Sequence, residues 1–262
     1  MELPPIGLGT AHIGEADDPS QVVATALEGG YRFLDTAERY ETESFVAEGI
    51  ERSSVPRDEL TIATKVDKYY LRYDDAIAHA EACRDRLGVE TIDLLYVHWP
   101  REEYEPAETM AAFGELVDRG VAEHVGVCNF TVELLAEARS HCDAPVVANQ
   151  VEMHPLAQQR KLHEYALSED VWIVAYGPLM RGEVSDVPEL QKVARRRDAT
   201  PAQVSLAWLR SKERVVPIPG VEDSIRYLRE NYSSKDVELT DEDIALIDGI
   251  DREEVYYGGP LE

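Results

Sequence analysis

Four side chains in the first hundred residues could together protonate an oxygen: Asp35, Tyr40, Lys65 and His98. An apolar run ending Phe33-Leu34 stops at Asp35, and Tyr40 follows in a charged stretch, Glu38–Glu43. A free tyrosine has a pKa of about 10 and is a poor acid at neutral pH. A nearby ammonium favours the phenolate and is expected to lower that pKa. An aspartate beside the lysine would keep it charged and oriented, and a histidine beside the phenol could hydrogen-bond a substrate oxygen. The set suits protonation of a carbonyl oxygen as negative charge develops on it. Each residue also has a plain structural reading. Asp35 could cap a turn, Lys65 could snorkel from a strand end, and His98 could be a satisfied core histidine. Only convergence on one place makes them a site.

The elements that would bring them together are legible. Short apolar runs occur at Ile6–Gly9, Tyr31–Asp35, Leu60–Lys65, Ile92–His98, His124–Cys128, Val146–Gln150, Val171–Tyr176 and Arg214–Ile218. Helical patterns lie between them: Pro19–Gly29, Glu43–Arg52, Asp74–Leu87, Pro106–Arg119, Thr131–His141, Gln158–Ser168, Val187–Arg197 and Pro201–Lys212. Two more follow, Asp223–Asn231 and Asp241–Ile250, before a short tail. Alternation of eight strands with helices predicts an α/β fold of (β/α)8 TIM-barrel type, with extra C-terminal helices and short active-site loops. A doubly wound open sheet is the alternative. No linker or low-complexity segment divides residues 1–262, so one domain is expected. In a barrel all strand C-termini share one face. Here they deliver Thr10, Asp35, Lys65, His98, Asn129, Gln150 and Tyr176.

Composition narrows the function. Asp plus Glu total 52 against 26 for Lys plus Arg, a net charge of −26. Such a surface repels nucleic acid and anionic membranes. The acids are spread along the chain, which favours a protein adapted to concentrated salt over an ordinary acidic enzyme. No apolar run is long enough to predict a membrane span, and the start, MELPPIGLGT, lacks the features of a signal peptide. Three cysteines without CxxC spacing predict neither a disulfide framework nor a zinc site. A cytoplasmic location is expected.

Six segments in order resemble the aldo-keto reductase family, in its diketogluconate-reductase-like branch. They are FLDTAERY (33–40), TKV (64–66), LLYVHWP (94–100), VGVCNF (125–130), NQVEMHP (149–155) and VAYGPL (174–179). The resemblance runs from Gly7 to about Asn231. It implies NAD(P)H-dependent reduction of small aldehydes or ketones, including keto-sugars, without a Rossmann fold. Gly7-Leu8-Gly9 accordingly begins no complete G-x-G-x-x-G. By the resemblance Tyr40 is the general acid, Lys65 and Asp35 tune it, and His98 orients the carbonyl. Asn129 and Gln150 would bind the nicotinamide carboxamide and Tyr176 would stack on the ring. Thr10, Gly177 and Leu179 would lie along the cofactor, and Ala11 and Trp99 would shape the substrate pocket. Arg226 and Arg229, near the helical Asn231, are the candidates for a 2′-phosphate. NADP(H) is therefore favoured, with NAD(H) possible, and a monomer is expected.

The chain departs from the family pattern in places. Tyr-Glu-Thr-Glu (40–43) replaces Tyr-Gly-Asn-Glu, Cys128 replaces a serine, and the Lys-Ser after the last strand is absent. Two other readings use the same residues. A cofactor-binding sensor barrel would keep the cofactor strands but need not keep all four ionisable groups. A Schiff-base lyase built on Lys65 would want a depressed lysine pKa, which a neighbouring aspartate opposes.

Overall fold

The computed structural model describes residues 1–221 and 225–261. Eight parallel strands form one sheet in chain order. They are β1 (Leu8–Gly9), β2 (Phe33–Asp35), β3 (Thr61–Val66), β4 (Ile92–Val97), β5 (Ala122–Cys128), β6 (Val146–Glu152), β7 (Trp172–Tyr176) and β8 (Val215–Pro217). The first and last strands meet. The Gly7 N–H donates to the Pro217 carbonyl at 3.0 Å and the Gly9 N–H to the Pro219 carbonyl at 3.1 Å. Gly9 and Gly220 form a parallel bridge. This closure excludes an open doubly wound sheet and makes the fold a (β/α)8 barrel. Glycine is needed at position 7, because a Cβ there would stand 2.6 Å from the Phe33 ring and 2.8 Å from Ile218.

Ten α-helices accompany the strands among the described residues: α1 (Pro19–Glu28), α2 (Glu43–Arg52), α3 (Tyr73–Leu87), α4 (Pro106–Asp118), α5 (Val132–His141), α6 (Arg160–Ser168), α7 (Pro188–Arg197), α8 (Pro201–Arg210), α9 (Ile225–Tyr232) and α10 (Asp241–Asp248). Their starts carry local signals. Asp18 caps α1 by accepting the Gln21 N–H, and Thr200 with Gln203 forms a capping box on α8. Every expected strand and helix overlaps an observed one, although the first two residues of the Asp223–Asn231 helix lie outside the described residues. The sequence patterns did not foresee the 3₁₀ turns Glu38–Tyr40 and Met180–Asp186. Segments this short show no helical periodicity to read.

Strand parity sorts side chains between two cores. Phe33, Ala63, Leu94, Tyr96, Cys128, Ala148, Val174 and Val216 fill the barrel interior. Leu34, Ile62, Leu95, Val97, Val127, Val151, Ile173 and Val215 face the helices. Side chains alternate along a strand. Asp35, two residues after Phe33, must point inward, and so must Lys65 after Ala63. The same step carries Tyr96 to His98, Ala148 to Gln150 and Val174 to Tyr176. Asp35, Lys65, His98 and Gln150 therefore occupy the interior at the C-terminal end of the strands, above a layer of apolar side chains.

The helix shell carries many exposed ion pairs, such as Arg52 with Asp18 at 2.9 Å and Arg119 with Glu115 at 2.8 Å. With 26 Lys and Arg against 52 Asp and Glu, they leave at least half of the acids unneutralised. The Debye length falls from about 10 Å at 0.1 M salt to about 3 Å at 1 M. The urea midpoint should therefore rise between roughly 0.1 M and 2 M KCl as repulsion among the acids is screened. An unchanged midpoint would mean that the acids are ordinary surface groups.

Candidate active site

The polar end of the barrel is organised around one buried pair. Lys65 is fully buried and Asp35 is 2% exposed. Lys65 Nζ donates to Asp35 Oδ1 at 2.5 Å and to the Thr36 carbonyl at 2.7 Å. The second carboxylate oxygen, Oδ2, accepts from Gln150 Nε2 at 2.7 Å, across the barrel from β6. Burial pushes the Asp35 carboxyl upward, against the opposing pull of Lys65 and Gln150. Burial also disfavours the ammonium, but Asp35 and then Tyr40 outweigh it and raise the Lys65 pKa, so the lysine stays charged. That leaves no neutral amine for Schiff-base chemistry.

Tyr40 ends the 3₁₀ turn after β2, and Lys65 Nζ lies 5.1 Å from its ring centroid. The His98 ring meets it edge-on, with centroids 5.6 Å apart. The four residues thus converge. One expectation is corrected. Burial raises the Tyr40 pKa, and the Lys65 charge only partly offsets it. Without a substrate or cofactor the phenol keeps its proton, because the cost of a buried phenolate exceeds one ammonium's attraction. Glu41, where the resemblance has glycine, takes the left-handed conformation at φ 56°. A non-glycine residue there costs about 1–2 kcal/mol, so the turn presenting Tyr40 is held under strain.

His98 is buried, and its Nδ1 has no hydrogen-bond partner among the described residues. Burial, with Lys65, Arg39 and Lys68 adding repulsion, lowers its pKa from 6.5 to about 3. The imidazole is neutral at neutral pH. It can donate a hydrogen bond to an oxygen without surrendering a full proton.

The remaining candidates divide. Asn129 and Tyr176 meet directly, with Tyr176 Oη donating to Asn129 Oδ1 at 2.8 Å. Asn129 Nδ2 keeps only a 3.5 Å contact to the His98 carbonyl. Gln150 gives its N–H to Asp35, which leaves Oε1 to accept. A weakly engaged amide donor on Asn129 and an amide acceptor on Gln150, from neighbouring strands, are the complement of a primary carboxamide. Gly177, at φ 62°, and half-buried Leu179 follow Tyr176 at the same mouth. Thr10 is buried, and its hydroxyl donates to the Asp35 carbonyl at 3.0 Å, so it braces β2. Ala11 is exposed, and Trp99 is half-buried beneath the Arg101 guanidinium, 4.4 Å from its ring centroid. Arg226 is exposed on α9. Arg229 instead lines a surface cleft with Thr25, Glu28, Gly29 and Tyr31. That cleft flanks the C-terminal end of α1, the end remote from the strand tips. Asn231 is buried. Among the described residues no three His, Cys, Asp or Glu side chains are grouped to hold a metal, and no helix is long and apolar enough to cross a membrane.

The pattern of the Aldo/keto reductase family matches residues 5–252. The chain belongs to the aldo/keto reductase family. It is 33% identical to a glyoxal reductase of Bacillus subtilis, over 100% of this chain and 94% of the relative. A solved structure provisionally described as a 2,5-diketo-D-gluconic acid reductase B superposes with a TM-score of 0.91 at 31% identity, covering 99% and 93% of the two chains. Another aldo-keto reductase, solved in complex with NADPH, superposes at 0.86 with 29% identity, covering 97% and 86%. The chain is thus an oxidoreductase of a family that reduces carbonyl groups with nicotinamide cofactors.

Glu152 was missed at the strand ends, although it lies within NQVEMHP. It is fully buried at the tip of β6. Parity was the available signal: Ala148, Gln150 and Glu152 alternate on one side of the strand.

The neutral His98 makes a measurable demand on pH. Its folded pKa lies below the unfolded value, so its contribution to stability is complete above about pH 6.5. That contribution is lost as pH falls towards 3, at up to about 1.4 kcal/mol per unit. The stability of wild type relative to His98→Gln should therefore fall between pH 6.5 and 4. Parallel unfolding curves would place a charged or exposed imidazole in the fold.

Proposed function

We propose that this protein reduces small aldehydes and ketones, keto-sugars among them, to alcohols, with NADPH favoured over NADH. The observation that carries the reading is the Lys65 ammonium, buried beside Tyr40 and held by Asp35. A reduced nicotinamide would supply hydride to the carbonyl carbon. Asn129 and Gln150 would hold its carboxamide, and Tyr176 would support the ring. Tyr40 gives its proton to the carbonyl oxygen. His98, neutral, donates a hydrogen bond to the same oxygen and fixes its direction. Lys65 stabilises the phenolate that Tyr40 becomes, which offsets part of the burial penalty that otherwise keeps the proton in place. The Asp35 carboxylate holds the ammonium in position and balances its charge. Trp99 and Ala11 border the substrate. The small Ala11 leaves room for compact substrates beside Trp99.

Tyr40→Phe should bind cofactor like wild type, followed by protein fluorescence. It should lose carbonyl reduction by at least about a hundredfold, the scale of one general acid. Near-normal kcat across a panel of aldehydes, ketones and keto-sugars would remove Tyr40 from the mechanism. Cofactor binding in wild type without turnover of any carbonyl would favour a sensor instead.

Arg226 is the better placed of the two arginines for a 2′-phosphate, because Arg229 faces the far end of α1. Arg226→Ala should weaken NADPH by about 1.5–3 kcal/mol, the range for a hydrogen bond to a charged group. NADH binding should stay within about twofold, since it lacks the phosphate. Equal losses for both cofactors would move the phosphate contact elsewhere.

A further inference from the structure

The C-terminal tail does not hang free. Residues 254–260 cross the catalytic end of the barrel. The Glu254 N–H donates to the Leu156 carbonyl at 2.8 Å, and Gln159 Nε2 donates to the Pro260 carbonyl at 2.7 Å. Arg181 holds the Tyr256 carbonyl at 3.1 Å, and Arg101 the Gly258 carbonyl at 3.3 Å. The loops after β4, β6 and β7 therefore all grip this one segment.

At its centre is Glu152. Its Oε1 accepts the Tyr256 N–H at 2.5 Å and its Oε2 the Tyr257 N–H at 2.9 Å. His154 Nδ1 accepts the Leu156 N–H at 3.2 Å, which places the ring proton on Nε2. That nitrogen, 3.0 Å from Glu152 Oε1, is then a third donor. Burial opposes the charge on Glu152, but these three donors outweigh it and hold its pKa below the usual carboxylate value. A buried carboxylate satisfied by main-chain N–H groups of a tail is a specific clamp, because an apolar residue there would leave three donors unpaired.

The tail lies on the residues assigned above to the nicotinamide. A Cβ on Gly259 would stand 2.8 Å from Tyr176 Oη and 3.1 Å from Asn129 Oδ1. The Tyr257 ring fills the space where a Cβ on Gly177 would stand, at 2.5 Å. It also meets Tyr176 edge-on, with centroids 5.7 Å apart.

We infer that Glu152 is a positioning residue, whose clamp on Tyr256 and Tyr257 holds the tail as a strap over the cofactor strands that must lift for cofactor to enter or leave. The inference rests on the cofactor placement proposed above. A strap of this kind is a gate rather than a binding contact. Loosening it speeds entry and exit together and leaves the equilibrium nearly alone.

Two variants of the full-length chain test it. Glu152→Gln removes the charge and turns one acceptor into a donor. Arg181→Ala leaves β6, Tyr176 and Asn129 untouched and removes the guanidinium that donates to the Tyr256 carbonyl and lies 4.7 Å from the Tyr257 ring centroid, so it stands even where Glu152→Gln folds poorly. Amide hydrogen exchange of residues 254–260 should accelerate in each. Stopped-flow association and chase experiments with NADPH should show both rate constants raised by about tenfold, the scale of one lost hydrogen bond to a charged group. The dissociation constant should stay within about twofold of wild type, as for a gate. Dissociation accelerated alone would make the tail a direct cofactor contact and overturn the gate. So would faster tail exchange with both rates unchanged. If neither NADPH nor NADH binds the wild type, the cofactor placement itself fails and takes the strap with it. That failure is told apart because it shows in wild type, before any variant is compared.

Discussion

The barrel can hold chemistry at one end because an ammonium can be kept charged in its interior. Moving Lys65 and Asp35 out of water is costly, and their mutual attraction alone repays little of it. What closes the difference is saturation. The Thr36 carbonyl takes a second lysine hydrogen, and Gln150 takes the second carboxylate oxygen. Thr10 braces the Asp35 backbone from β1. Strands β1, β2, β3 and β6 are thus tied to one pair of charges. Breaking such a pair from one side typically costs about 3–5 kcal/mol, so the site and the stability of this end of the barrel are linked.

From that pair the electrostatics of its neighbours follow. The same ammonium helps keep His98 neutral and tempers the cost of a phenolate at Tyr40. Burial dominates both shifts, which is why the resting tyrosine is a weaker acid than a residue-by-residue reading suggests. The site is therefore quiet by construction. Its acid becomes useful only when a neighbouring oxygen gathers charge, and the lysine is already oriented for that moment. Cys128 fits the same picture. Burial lifts its thiol far from ionisation, so it fills space beside Lys65 without adding a charge.

A second buried carboxylate works on the outer edge of this arrangement. Glu152 sits one inward step beyond Gln150 on β6, and it meets main chain where Asp35 meets an ammonium. The contrast is informative. A carboxylate paired with a lysine tunes a reacting group, while one paired with backbone N–H groups fixes a segment of chain. Both rely on a low-dielectric setting in which a satisfied charge is strong and an unsatisfied one is prohibitive.

The strands, the helices and the four ionisable residues were legible because each depends on local pattern. Apolar runs at barrel spacing, glycine and proline at helix ends, and polar residues closing each run are properties of neighbours in sequence. Strand parity went further and implied that Asp35, Lys65, His98, Gln150 and Tyr176 share the interior. Three things were not legible. The Gln150–Asp35 bond joins residues 115 positions apart. The direction of the Tyr40 shift depends on how deeply the fold buries it, which no spacing encodes. The place of the tail depends on Glu152 meeting Tyr256 and Tyr257 across the mouth, and backbone donors carry no side-chain signature. Sequence determined which chemical groups stand at each strand end. Only tertiary structure decided how far water is excluded from them, and that exclusion sets their charge.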